Sequence, residues 1–330
     1  MTPVTLAVVA LLVATEAFFT GLSLVNLRYG ARTLRAESAW VAEEFGLEEP
    51  ERVIDYQAAK SRLGLARRWT TLAVVLAVLL SGVPAAAVGT VEGLGLGSLV
   101  GAGLAPVAEG VALLLGAVVG LTVVSWPFDA VDTFVVEERF GFNNATPGLW
   151  LRDRLVSLVV TLVVGGLVLS VVVLATVELP TLWPVAAWAT YLVVSLAALV
   201  VYPRVIAPLF NDFEPVEGDL RGAVEAVFDR AGFDCEQVYE MDASRRSAHA
   251  NAYFVGFGRT KRVVLFDTLV DQHPAAEVQA VLAHELAHWK RGHVWRSLAA
   301  GALQVGVLLA VAGWLVDRPA LYAAVGVPEA

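Results

Sequence analysis

Long runs of apolar residues with almost no charge dominate the chain. Six stretches, 4–27, 69–89, 104–126, 155–177, 183–203 and 295–316, reach the ~20 apolar residues a helix needs to cross a bilayer, where every backbone polar group must be satisfied within the segment. The first is too long, and lacks the short basic start, to be a cleaved signal peptide, so it counts as a permanent span. Between 204 and 294 the pattern changes. Leu220, Val224, Val227 and Phe228 mark one apolar helical face, and Gln237–Met241, Asn251–Val255 and Arg262–Phe266 read as strands, the last two joined by a turn around Gly256-Phe257-Gly258. A helix follows from about Pro274 to Trp295 and on into the sixth span. The predicted fold class is therefore mostly α: a polytopic membrane protein of about six transmembrane helices with a small α+β domain. Its divisions are an N-terminal membrane region 1–203 with loops 28–68 and 127–154, a soluble segment 204–294, and a last span with its tail, 295–330.

Charge orients these spans. Arg28, Arg32, Arg35, Arg52, Lys60, Arg62, Arg67 and Arg68 lie between spans one and two, and Arg139, Arg152 and Arg154 between three and four, whereas the loops near 90–98 and 178–182 hold no Lys or Arg. By the positive-inside rule the basic loops, and with them the 204–294 segment, face the cytoplasm of an integral cell-membrane protein. The composition, 57% hydrophobic and 17% charged, excludes an ordinary soluble domain and a disordered chain. A net charge of −9 argues against nucleic acid as a partner, and a single cysteine, Cys235, excludes an internal disulfide. Within the spans, Glu16 and Glu109 are costly charges, with Asp129 and Asp132 near a membrane edge; each either faces a water-filled cavity or sits closer to the interface than the boundaries imply.

Chemistry concentrates in His284-Glu285-Leu286-Ala287-His288, an H-E-x-x-H string at helical spacing. Residues four apart share a helix face, so His284 and His288 can both reach one zinc ion, with Glu285 beside it as the general base for water and later the proton donor to the leaving amine. The bland alternative is an exposed histidine face. Against it, three of five histidines, His284, His288 and His293, fall within ten residues, and Glu277 shares the face of His284 and His288 in an otherwise apolar helix. Upstream, Asn251, Ala252 and Tyr253 open a strand that can pair with an extended substrate through main-chain hydrogen bonds. Read from the residues alone, an ordinary hairpin with Tyr253 and Phe254 in a core is the favoured account of that stretch.

Several spaced motifs resemble one family in the same order. They are Asp55-Tyr56-Gln57 with Lys60-Ser61; Arg139-Phe140-Gly141-Phe142-Asn143 with Thr146-Pro147; Ile206-Ala207-Pro208-Leu209-Phe210-Asn211; Met241-Asp242 with Ser244 and Arg246; Asn251-Ala252-Tyr253-Phe254; Val264-Leu265-Phe266-Asp267-Thr268-Leu269; and the His284 motif. The chain is similar to the polytopic membrane zinc metalloproteases typified by the type I CAAX prenyl protease, whose zinc-protease domain is gluzincin-like. The resemblance implies tilted helices enclosing a chamber, one Zn2+ per chain, and endoproteolysis of a peptide or protein substrate near its C-terminus, after a lipid-modified cysteine in eukaryotes. It also implies that Asn251 and Ala252 touch the substrate backbone. In a cell that does not prenylate proteins, turnover of damaged membrane proteins is the implied role.

One departure stands out. The family draws its third zinc ligand from a glutamate in an E-x-x-x-D motif on a later helix, whereas after His288 this chain has only Asp317 and Glu329, neither in such a motif. The expectation is either a shortened form of a longer chain, with an apolar run restarting at Ala320–Val327, or an incomplete and inactive site in a protein that serves as a membrane scaffold. An upstream acid such as Glu277 could substitute, although the spacing gives no geometric support for it. A transporter lined by Glu16 and Glu109 would leave the histidine motif without a purpose.

Overall fold

The structure, a computed structural model, describes residues 2–47, 49–256 and 260–324. Beyond Gly256 the expected turn at Phe257-Gly258 lies outside these residues, as do Glu329 and the end of the apolar run at Ala320–Val327; the run's start forms a short helix, Pro319–Ala324. The chain divides into two compact units, Met1–Gly141 with Trp314–Ala330, and Phe142–Gly313.

The first unit contains α1 (Pro3–Ala36), α2 (Pro50–Leu80) and α3 (Ala105–Val131), the last running on into a wide π-type turn, Asp132–Glu137. The Thr2 hydroxyl caps α1 by accepting from the Thr5 N–H at 3.1 Å. The expected span 69–89 is displaced. Its helix begins at Pro50, because the Arg-rich stretch ahead of the apolar window is helical too, and it stops at Leu80, where Gly82 at φ +75 turns the chain into a second helix, Val83–Gly93. Hydropathy locates only the part of a helix that lipid covers, so a charged extension is invisible to it. Several charged residues of these spans, Glu16, Asp129 and Asp132 among them, are paired. Arg68 meets Glu16 at 2.7 Å, Arg67 meets Asp129 at 2.8 Å, and Lys60 bridges Asp132 at 2.7 Å and Glu137 at 2.8 Å, while the Tyr56 hydroxyl donates to Glu137 at 2.8 Å. Pairing lowers the cost of carrying charge within apolar helices.

The second unit contains α4 (Pro147–Glu178), α5 (Trp183–Val201), β1 (Phe213–Pro215), α6 (Gly218–Ala231), β2 (Gln237–Met241), β3 (Ala252–Val255), β4 (Arg262–Phe266), α7 (Ala275–Lys290) and all but the last three residues of α8 (His293–Val316). Among the described residues six helices are long and apolar enough to cross a membrane, and no more than 6% of any apolar window is buried against protein. Surface of that kind is stable only in lipid. α8 packs on α5 through glycines. A Cβ on Gly301 would lie 2.6 Å from the Tyr191 hydroxyl, and one on Gly313 would lie 2.8 Å from Pro184, while the Trp188 indole N–H donates to the Ala302 carbonyl at 2.8 Å.

The strands form a four-stranded sheet in the order β1-β2-β4-β3, with β2 and β4 parallel and the other neighbours antiparallel. Val238, Val263, Leu265, Ala252 and Phe254 point to one face, where they pack with Val224, Val227 and Phe228 of α6 and Val278, Leu282 and Leu286 of α7. The opposite face gathers Met241, Val264, Tyr239 and Tyr253. This period-two division fixes which side of β3 can meet the core.

Candidate metal centre and substrate edge

Helix α7 starts after Pro274, whose extended ψ of 153° places it as the cap. Val278, Leu282 and Leu286 recur every four residues and are buried, so they form the stripe that holds the helix on the sheet. His284 lies two residues from Leu282, about 200° around the helix, and His288 follows one turn later, so both stand on the exposed side with Glu285 half-buried between the faces. Their Nε2 atoms are 3.0 Å apart and the rings meet edge to face at 4.7 Å. Two nitrogens bound to zinc at ~2.05 Å with tetrahedral angles are about 3.3 Å apart, so the donor pair fits this ion.

Other expected participants fall elsewhere. Glu277, seven residues before His284, lies about 10 Å away along the helix and binds His273 through Oε2 and Nδ1 at 2.9 Å. Unbroken for 24 residues, α8 spans about 36 Å and leaves Asp317 beyond its far end. Among the described residues, no three His, Cys, Asp or Glu side chains come together in a group arranged to hold an ion. The helix expected to run from Pro274 through Trp295 is interrupted: α7 ends at Lys290, Gly292 takes φ +67, and α8 starts afresh at His293. That turn brings His293 back onto His288, Nδ1 to Nδ1, at 2.7 Å.

Strand β3 packs against α7 and lies at one edge of the sheet, bonded to β4 alone among the described strands. The Phe266 N–H donates to the Asn251 carbonyl at 3.0 Å, and in this register Asn251, Tyr253 and Val255 turn their main-chain groups toward β4. Ala252 and Phe254 therefore turn theirs to the open edge. The Ala252 N–H is met at 2.9 Å by the side-chain oxygen of Asn251. Ala252 and Phe254 bury their side chains in the main core, and Tyr253 lies half-buried on the opposite face. The strand can thus offer a peptide its backbone and little else. Burial first, and then Tyr202, push the Tyr253 hydroxyl up to about 12, opposed by Arg262, so it stays protonated and acts only as a neutral group.

The segment leading into β3 is fixed by contacts that no local pattern announces. Arg246 donates to both oxygens of Asp153 on α4, at 2.8 and 3.2 Å, to Asn211 Oδ1 at 3.1 Å and to the Phe210 carbonyl at 2.5 Å. Asn143 bridges Ser247 in antiparallel fashion, and the Ala248 N–H donates to the Phe142 carbonyl at 3.1 Å. The Phe142 ring stacks on His249 at 4.4 Å. In sequence, Arg246, Asp153 and Asn211 are unremarkable polar residues far apart; the ordered motifs include Asn211 and Arg246, and no sequence signal marks Asp153.

Comparison with known proteins places this arrangement. Residues 31–212 match the family described as CAAX prenyl protease N-terminal, five membrane helices, and residues 215–327 match peptidase family M48. CAAX prenyl protease 1 of Saccharomyces cerevisiae is 41% identical over 177 residues, 52% of this chain and 39% of that protein. The human CAAX prenyl protease 1 homolog is 32% identical over 257 residues, covering 65% of this chain and 52% of its own length. The crystal structure of S. mikatae Ste24p superimposes with a TM-score of 0.84 at 28% identity, covering 98% of this chain and 75% of that one. The chain spans about half the length, or less, of these curated relatives. With the first match alone taking in more than half of its residues, the chain belongs to the type I CAAX prenyl protease family of membrane M48 peptidases.

Proposed function

We propose that the chain is an integral membrane zinc metalloendopeptidase in which His284 and His288 hold one zinc ion and Glu285 is the catalytic base. The observation that carries the reading is the pair of Nε2 atoms 3.0 Å apart on the exposed face of α7, next to an edge strand with main chain to spare. Zinc held there would supply Lewis acidity to a scissile carbonyl and to the attacking water. A carboxylate oxygen of Glu285 takes the proton from that water and passes it to the departing amine nitrogen. The main-chain groups of Ala252 and Phe254 align the peptide as an added strand, and the Asn251 side chain, which holds the Ala252 N–H in its absence, gives way to a substrate carbonyl. Tyr253 flanks that strand.

The substrate class is a membrane-associated peptide. It is C-terminally prenylated where the host makes such proteins, in keeping with the relatives' name, and a damaged membrane protein where it does not. The soluble segment 204–294 carries this chemistry on the cytoplasmic side, a placement supported by the basic loops. A second reading, a non-catalytic scaffold, is favoured by one observation: only two donors converge among the described residues, and zinc enzymes use three. Elemental analysis of the purified chain separates the readings. One zinc per chain that disappears in His284→Ala supports the peptidase, and a zinc content near zero in the parent supports the scaffold.

A further inference from the structure

We propose that His293 is a positioning residue for the metal site, its ring accepting a hydrogen bond from His288 Nδ1 and so holding His288 in the form that presents a lone pair on Nε2. The inference rests on the reading of His284 and His288 as metal ligands. Its geometry is a relay of three rings. His288 sits between His284, 3.0 Å from Nε2 to Nε2, and His293, 2.7 Å from Nδ1 to Nδ1, with centroids 4.7 Å apart on both sides.

At 2.7 Å one proton must lie between the two Nδ1 atoms, and only two arrangements of neutral rings supply it. If His293 donates, the proton of His288 is left on Nε2, and no lone pair faces His284. If His288 donates, its Nε2 is free to bind a metal and His293 carries its own proton on Nε2. A metal ion at the site selects the second arrangement, and His293 then does what a carboxylate or carbonyl does behind most metal-binding histidines: it fixes tautomer and ring orientation. His293 is not a third ligand, because it touches His288 on the nitrogen turned away from His284.

The backbone shows how this contact is made. On one continuous helix a residue five positions on would stand about 140° around from His288, out of reach. Gly292, at φ +67, breaks the helix and restarts it at His293, which folds the second ring back onto the first. A side chain at position 292 would strain that turn.

The test uses the full chain in detergent, with Zn2+ affinity measured by competition against a chromophoric chelator. Wild type, His293→Leu, His293→Asn and His284→Ala are compared. His293→Leu removes the acceptor and is expected to bind zinc 10- to 100-fold more weakly. His293→Asn, whose side-chain oxygen can accept the same hydrogen bond, is expected to recover most of that loss, which a purely structural role would not do. Long-range proton–nitrogen correlation spectra of 15N-histidine-labelled wild type, which need no variant to fold, are expected to show His288 protonated at Nδ1 once zinc is added. Zinc binding by His293→Leu within threefold of wild type, or a His288 protonated at Nε2 in the zinc-loaded protein, overturns the inference and leaves the ligand pair standing. Zinc bound no more tightly by wild type than by His284→Ala overturns the ligand pair and the inference together.

Discussion

Arg246 anchors the start of the substrate-edge segment, and the cost of removing it follows from its contacts. Its guanidinium makes two charge-assisted bonds to Asp153 and two more bonds to Asn211 and the Phe210 carbonyl, and the side chains of the pair are only 21% and 20% exposed. A fully buried pair that loses one partner costs about 3–5 kcal/mol, and an exposed pair about 0–1 kcal/mol. One-fifth exposure places Arg246→Gln between them, at about 2–3 kcal/mol, or a melting shift of roughly 4–12 °C for a unit of this size. Asp153→Asn should cost less, because Arg246 keeps Asn211 and the Phe210 carbonyl. The assay is a double-mutant cycle on thermal unfolding in detergent. The double variant is expected to lose less than the sum of the singles, since they share one interaction. Additive losses, or a loss for Arg246→Gln within about 0.5 kcal/mol of zero, would refute the anchoring role.

Three further outcomes follow from other parts of the structure. Gly313→Ala gains up to about 1 kcal/mol of helix propensity but drives a methyl to 2.8 Å from the Pro184 ring, which costs about 1–3 kcal/mol; a lower melting temperature is expected, and a higher one would mean that α5 and α8 are not in close contact. Glu240 lies directly opposite Glu214 across the sheet, and burial first, then Asp271, Asp267 and Glu214, raise its pKa above the ordinary glutamate range near 4.3. The folded chain therefore holds this proton more tightly than the unfolded one, and the resulting stability is present at low pH and lost as pH rises through the folded pKa. Glu240→Gln should melt higher than the parent at pH 8 and equally at pH 4; an equal or lower melting point at pH 8 would remove the like-charge argument. Finally, strand addition on β3 requires alternate residues of a peptide substrate to donate, so N-methylation walked along the peptide should raise KM at every second position. A uniform effect would point to side-chain recognition.

How much of this was legible depended on how local each feature is. His284 and His288 are four residues apart on one helix, so spacing alone put them on one face, and the buried stripe at Val278, Leu282 and Leu286 confirms which face is free. The six spans were legible because lipid imposes length and composition together, yet α2 was misplaced because its charged half, Pro50 to Arg68, obeys the same helical geometry without the apolar signal. Asn251–Val255 read as a strand, but an ordinary hairpin was the favoured account of its residues. Its status as an edge depends on β4 inserting between β2 and β3, a crossover that no local pattern encodes. The break at Gly292 was masked by the strong helical periodicity on both sides of it. Arg246 is the extreme case, its partners lying 35, 36 and 93 residues away.

The central claim is that Glu285 moves protons for a metal held by its neighbours, and one comparison tests it directly. Purified wild type and Glu285→Gln are assayed together for zinc content and for cleavage of a membrane-associated peptide, prenylated or plain. The account predicts equal zinc in the two proteins, with cleavage in the wild type and a loss of at least ~100-fold in the variant, the lower end of what a positioned base contributes. Cleavage retained by Glu285→Gln at an unchanged zinc content would contradict it.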